Sequence, residues 1–281
     1  MMSDEGDSDL LTDGEDDLEG LLPNEPRVKN SHYLEETVSE YSDAVFFEHY
    51  RISRGVVNDI SRRYGNIPAS HQVLIYLWYI GHQTASFRDV AVRFDISLSS
   101  VNRIICRVTL FLSNLSPQII EWPTEDEKRT IEGHFRESGF PNIIRAIDGC
   151  HIKVNKPEND PDSYINRKGN NLEGKCGRYY LLADSGYPLR RNMLTPYKDR
   201  GNLTRRQQNY NIKLAKNRYK IEHCFGMLKQ KFRQLYHVKL RNIRLIVHLI
   251  RAACVLHNIS LDDFNVAEEI VANLEALVPA E

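Results

Sequence analysis

Apolar positions recur at helical spacing through the first part of the chain. Clusters at Val45-Phe46-Phe47, Val56-Val57, Val73–Ile80 and Val108–Leu112 carry no strand alternation, so the stretch from about Tyr41 to Ile119 reads as all-α. Within it, Phe87, Val90, Ala91 and Phe94 stand at i, i+3, i+4 and i+7 and predict one buried face of a short helix. Asp95-Ile96-Ser97 then predicts a turn, with Ser97 capping a second helix whose Val101, Ile104, Ile105 and Val108 face inward. Pro123 disfavours helix at Trp122 and ends this region, and Thr124 with Asp126 and Glu127 caps a new helix running toward Ser138. Two short apolar runs, Asn142–Val154 and Tyr179–Asp184, are bounded by Gly and Pro and predict strands. Helical periodicity returns at Leu214–Leu235 and Ile243–Ile259. The fold class expected is therefore α/β: an N-terminal all-α region containing a helix-turn-helix, followed by a mixed α/β region.

Composition narrows the classes. With 281 residues, 41% hydrophobic and 27% charged, the chain has material for one large core or two small ones, and collagen-like, coiled-coil and wholly disordered readings are excluded. The longest apolar run, Val73–Ile80, falls short of the roughly 18 to 20 residues of a bilayer helix. Met1 opens an acidic stretch and not a signal peptide, which leads to the expectation of an intracellular protein. Cys106, Cys150, Cys176, Cys224 and Cys254 are an odd number with no C-x-x-C pair, so reduced thiols are expected in place of a disulfide framework or a zinc cage.

Charge changes the picture more. The formal net charge of -1 hides two acidic ends: residues 1–25 carry ten acids and residues 261–281 carry six, neither with a base. The remainder holds a surplus of 15 positive charges, which favours a polyanionic partner, DNA above all. Between Arg190 and Arg244 stand 16 Lys or Arg and two acids, Asp199 and Glu222. Arg190, Arg191, Lys198, Arg200, Arg205 and Arg206 suit a DNA backbone, with salt-dependent affinity. In the helix-turn-helix, Ser99, Ser100, Asn102, Arg103 and Arg107 are free to face a groove, small hydroxyls allowing close approach and arginines meeting phosphates or guanine edges. An ordinary helical hairpin with a solvated basic face satisfies the same pattern.

Three carboxylates carry the candidate chemistry. Ile143–Ile147 and Tyr179–Ala183 are apolar strands that each end in an acid, Asp148 and Asp184, followed closely by glycine. Two buried parallel strands bring such acids together at their carboxyl ends, where ligands of open α/β sheets bind. Glu222 lies at the edge of the stripe Leu214, Ile221, Phe225, Leu228, Phe232 and Leu235, with Gly226 one turn on leaving space for a metal or a phosphate. The alternative for Glu222 is an ion pair with a neighbouring base such as Arg218. His151 and His223 adjoin the acids, as proton-transfer groups or as packed histidines.

The motifs together resemble those of the Harbinger-type transposases and the nucleases derived from them. They are Ser86-Phe87-Arg88, Trp122-Pro123, Arg145–Ile152, Tyr164–Gly169, Leu182–Leu189, Leu194–Tyr197, Ile221–Gly226 and Ala253–Ile259. The resemblance implies a DDE catalytic domain of ribonuclease H-like fold in which Asp148, Asp184 and Glu222 are the catalytic and metal-binding residues, holding divalent Mg or Mn for DNA hydrolysis. With the composition and periodicity above, the domains expected are 1–25 (disordered acidic tail), 26–122 (helical, helix-turn-helix-containing region), 123–260 (truncated DDE nuclease domain, as the resemblance implies) and 261–281 (acidic tail). The resemblance also implies a nuclear protein, with a cytoplasmic pool, and a Myb-like DNA-binding partner; nothing implies a membrane. One departure is plain: the interval before Tyr179 holds only Asn170–Arg178 where the family carries two more strands and a helix with another acid. That shortening exposes one edge of the Asp148 strand. It also sets an alternative beside the enzyme, a catalytically inactive DNA-binding or protein-recruiting relative.

Overall fold

The computed structural model describes residues 30, 32–64, 69–155 and 176–261. Outside them lie the tail 1–25, residues 262–281 of the C-terminal tail, the Tyr164–Gly169 motif, and Asp160, Asp162 and Glu173. In chain order the elements are α1 (Asp43–Tyr50), α2 (Arg54–Tyr64), α3 (Ala69–Gly81), α4 (Phe87–Phe94), α5 (Leu98–Asn114), α6 (Ser116–Ile119), α7 (Glu125–Glu137), β1 (Ile143–Ala146), β2 (Lys153–Val154), β3 (Tyr180–Leu182), β4 (Met193–Leu194), α8 (Arg205–Lys231), β5 (His237–Val238) and α9 (Ile243–Ile259). They divide between two compact units. The first takes the chain to Ile120, residues 152–159 and residues from Leu228 on; the second takes 121–151 and 160–227.

In the first unit, α3 is apolar all round from Val73 on, and Val73–Ile80 is buried throughout, as such a stretch of helix must be. Ser86 and Asp89 form a reciprocal capping box that starts α4, and Ser97 accepts the Ser100 amide to start α5. The two helices meet at a bend of 107°. Phe87, Val90, Ala91, Phe94, Val101, Ile105 and Val108 are buried and Ile104 packs against them, as the periodicity predicts. The closing helix α9 packs its Leu245, Leu249, Ala253 and Leu256 into this same core, and His248 Nδ1 hydrogen-bonds Ser113 Oγ of α5 at 2.8 Å. Gln234, buried, donates from Nε2 to the carbonyls of His82 and Ala85 at 2.8 and 2.9 Å. β2 and β5 pair in parallel. The first unit is thus assembled from both ends of the described chain, whereas the sequence places one boundary near residue 122.

The second unit is built on a parallel sheet of order β1-β3-β4. Strand side chains alternate between faces. Ile143 and Leu182 join Phe135, Phe140 and Leu214 in one cluster, while Ile144 and Leu181 join Cys176 and Tyr179 in another. Both faces are covered, which is why these strands read as continuous apolar runs. Thr124 starts α7 with a capping box to Glu127. The run Asn142–Val154 is not one strand: it divides into β1 and β2, which belong to different sheets. The break falls at Asp148, whose Oδ1 accepts its neighbour's amide from Gly149 at 2.8 Å and turns the chain out of the ladder. Among the described residues β1 has one strand partner, β3, in keeping with the shortened interval.

Candidate functional site

Register places the two aspartates. Ala146 pairs with Leu182, and the Ile147 amide bonds the Leu182 carbonyl at 2.7 Å. Asp148 and Asp184 each stand two residues beyond that pair, on adjacent strands whose spacing is about 4.8 Å. Asp184 Oδ1 accepts the Gly186 amide at 2.9 Å. A Cβ at Gly186 would sit 3.2 Å from that oxygen, so a side chain there would crowd the acid and shift it by a few tenths of an ångström.

Glu222 reaches the group through Arg218, one turn earlier on α8. A single nitrogen, Arg218 Nη2, donates to Asp148 Oδ2 at 2.9 Å and to Glu222 Oε1 at 3.2 Å. The two acceptor oxygens are therefore no more than about 6 Å apart. Arg218 and Asp148 are mostly buried, with side-chain exposures of 13% and 14%, while Glu222 is 55% exposed. Arg218 Nε is buried and has no hydrogen-bond partner among the described residues. The three carboxylates supply the hard oxygen donors that Mg²⁺ or Mn²⁺ requires and so fit the ion in kind. They are not drawn into a ready coordination shell, since no group of three His, Cys, Asp or Glu among the described residues is close enough to hold an ion. Arg218 provides the countercharge instead. The ion-pair reading of Glu222 is thus realised in the same place as the acidic site.

Tyr187 belongs to this site and escaped the sequence reading. Its phenol pKa is pushed up by burial and by the negative charge of Asp148 and Asp184, partly opposed by Arg218. Its position in Asp184-Ser185-Gly186-Tyr187, three residues past the acid, was the available signal. His151 and His223 are exposed, not packed in a core. A Cβ at Gly226 would meet nothing within 4 Å, so the open space there does not depend on glycine.

Arg190, Arg191, Lys198, Arg200, Arg205 and Arg206 are all exposed on the second unit. The loop before α8 is tied to that helix by Asn211, which accepts the Tyr197 amide and donates to the Tyr197 carbonyl, both at 2.9 Å. In the first unit, Ser99, Arg103 and Arg107 of α5 are exposed. Asn102 is half-buried and accepts from Cys106 Sγ, and the hydroxyls of Ser99 and Ser100 both engage Ser97 Oγ. Arg145 lies over the Trp122 ring at 5.2 Å and donates to the Glu121 carbonyl, giving two of the recurrent motifs a shared structural reason.

Residues 172–258 match the family described as DDE superfamily endonuclease. Over 212 residues the chain is 26% identical to the proteins named "Putative nuclease HARBI1" of Bos taurus and Homo sapiens, covering 59% of this chain and 60% of each relative. The rat protein of that name is 32% identical over 76 residues, 26% of this chain and 22% of the relative. The chain thus spans about 60% of the length of the first two relatives. No solved structure matches.

Proposed function

The chain belongs to the Harbinger transposase-derived nuclease family, and from that premise we propose that it is a divalent-metal-dependent DNA nuclease whose ligands are Asp148, Asp184 and Glu222. The observation that supports the reading is the adjacent register of the two strand-end aspartates, with a helical glutamate linked to one of them through a shared arginine. Bound metal would supply Lewis-acid activation of water and stabilisation of the leaving 3′-oxygen. The chain's own residues do the rest. Tyr187, its phenol kept protonated by burial and by two carboxylates, is a hydrogen-bond donor beside the acids. Arg190, Arg191, Lys198, Arg200, Arg205 and Arg206 hold the DNA backbone, and α5 enters a groove with Arg103 and Arg107. Nuclear residence and a Myb-like partner belong to the same reading.

A second reading is favoured by one observation: the acids are neutralised by Arg218 and not assembled. On it the chain binds DNA or recruits proteins without cutting. Plasmid nicking in Mg²⁺ or Mn²⁺ separates the two. The nuclease reading expects nicking that is lost in Asp148→Ala and Glu222→Ala at undiminished DNA affinity. Tight DNA binding with no cleavage in either metal establishes the second reading instead.

A further inference from the structure

We propose that Arg218 is a built-in competitor of the divalent cation: it holds Asp148 and Glu222 as their resident counter-ion, and metal enters only by displacing it. The inference rests on the reading of the three acids as a cation site and concerns how that site is kept and opened.

Three observations support it. First, one guanidinium nitrogen serves both carboxylates, so the positive charge sits between the groups a metal would join. Second, the pair is largely removed from water, with both Arg218 and Asp148 side chains below 15% exposed in relative terms. Attraction between such groups is screened far less than at a surface, so the guanidinium is a serious rival to a hydrated ion. Third, Arg218 Nε is buried without a partner among the described residues. An arginine placed only for stability would normally satisfy that donor; here its hydrogen bonding is given to the carboxylates and left incomplete elsewhere. The i, i+4 spacing on α8 fixes the guanidinium over Glu222, while Asp148 approaches from the end of β1. Glu222 is 55% exposed and can swing toward solvent, whereas Asp148 is enclosed. Release therefore begins on the Glu222 side. The consequence is a site that takes up a divalent ion only at the expense of an internal ion pair, and Arg218 acts as a positioning residue through the ligands it holds.

Mn²⁺ alone, titrated into the full chain without DNA and followed by the loss of the free-ion electron paramagnetic resonance signal, tests this. Arg218→Met keeps much of the apolar stem and removes the charge, and is expected to bind Mn²⁺ at least about tenfold tighter than the wild type. Millimolar methylguanidinium should weaken that binding competitively. Should Arg218→Met fail to fold by circular dichroism, Arg218→Gln, which keeps a donor for the carboxylates but no charge, carries the same expectation. Equal or weaker binding in the neutral variant overturns the proposal, while the metal reading survives if Asp148→Asn abolishes Mn²⁺ uptake. Binding in neither protein overturns both.

Discussion

Replacing Gln234 with leucine removes both side-chain donors that tie the segment after α8 to the turn preceding α4. The amide donates to His82 O at 2.8 Å and Ala85 O at 2.9 Å from a position only 1% exposed. His82 O also receives the Ala85 amide at 3.3 Å, so Ala85 O is left the more exposed to the loss. A hydrogen bond contributes about 1 kcal/mol net and an unpaired buried carbonyl costs about 1–3 kcal/mol. The expected destabilisation is therefore about 2–4 kcal/mol, which lowers Tm by about 5–12 °C for a unit of this size. Gln234→Glu sharpens the test, because it preserves shape while presenting an acceptor to two acceptors at neutral pH. Its deficit relative to wild type should be largest near neutral pH and shrink on acidification, as the carboxyl regains a proton to donate. Thermal melts followed by circular dichroism at several pH values give these differences directly. A Gln234→Glu protein that melts with wild type at neutral pH would refute the donor assignment and the anchoring role built on it.

Two histidines make stability depend on pH. His82 and His257 are both held below the ordinary value of 6.5, chiefly by burial, with nearby positive charge adding to the effect. The unfolded chain binds these protons more readily, so their contribution is complete above about pH 6.5 and is lost as pH falls toward the depressed folded values. Urea midpoints should drop between neutral and mildly acidic buffer, and His82→Asn should flatten part of that drop. For DNA, Arg103→Ala with Arg107→Ala should weaken binding, leave the melting temperature nearly unchanged because both side chains are exposed, and reduce the salt slope by about 0.9 for each phosphate no longer neutralised. An unchanged slope would place α5 away from the duplex.

Local chemistry was the legible part of this chain. The limits of α4, α5 and α7 follow from Ser86, Ser97 and Thr124, because a hydroxyl that caps a helix acts on amides two or three residues away. The two acid-bearing strands follow from their apolar runs, since a sheet covered on both faces needs no alternation. What could not be read was long-range. Nothing near Ile105 or Leu249 signals that the two meet in one core, and the short β2 and β5 pair across more than eighty residues with no pattern of their own. At the site, Asp148, Asp184 and Glu222 were visible as acids at element ends. Arg218 was visible only as a neighbouring base, because its bond to Asp148 spans seventy residues. Tyr187 was visible only as part of a motif, because its relation to the acids depends on the loop that returns it to them.

The first unit is interrupted in sequence by the second, as a host is by a guest. Editing such a chain has unequal effects at different points. Trimming confined to residues 160–227 touches none of the three segments of the host, so the helix bearing Arg103 and Arg107 keeps the core it packs into. A stop between residues 240 and 243 removes α9, and with it Leu245, Leu249 and Leu256 from a core shared with helices encoded more than a hundred residues earlier. The far terminus, not the shortened middle, is where this molecule is fragile.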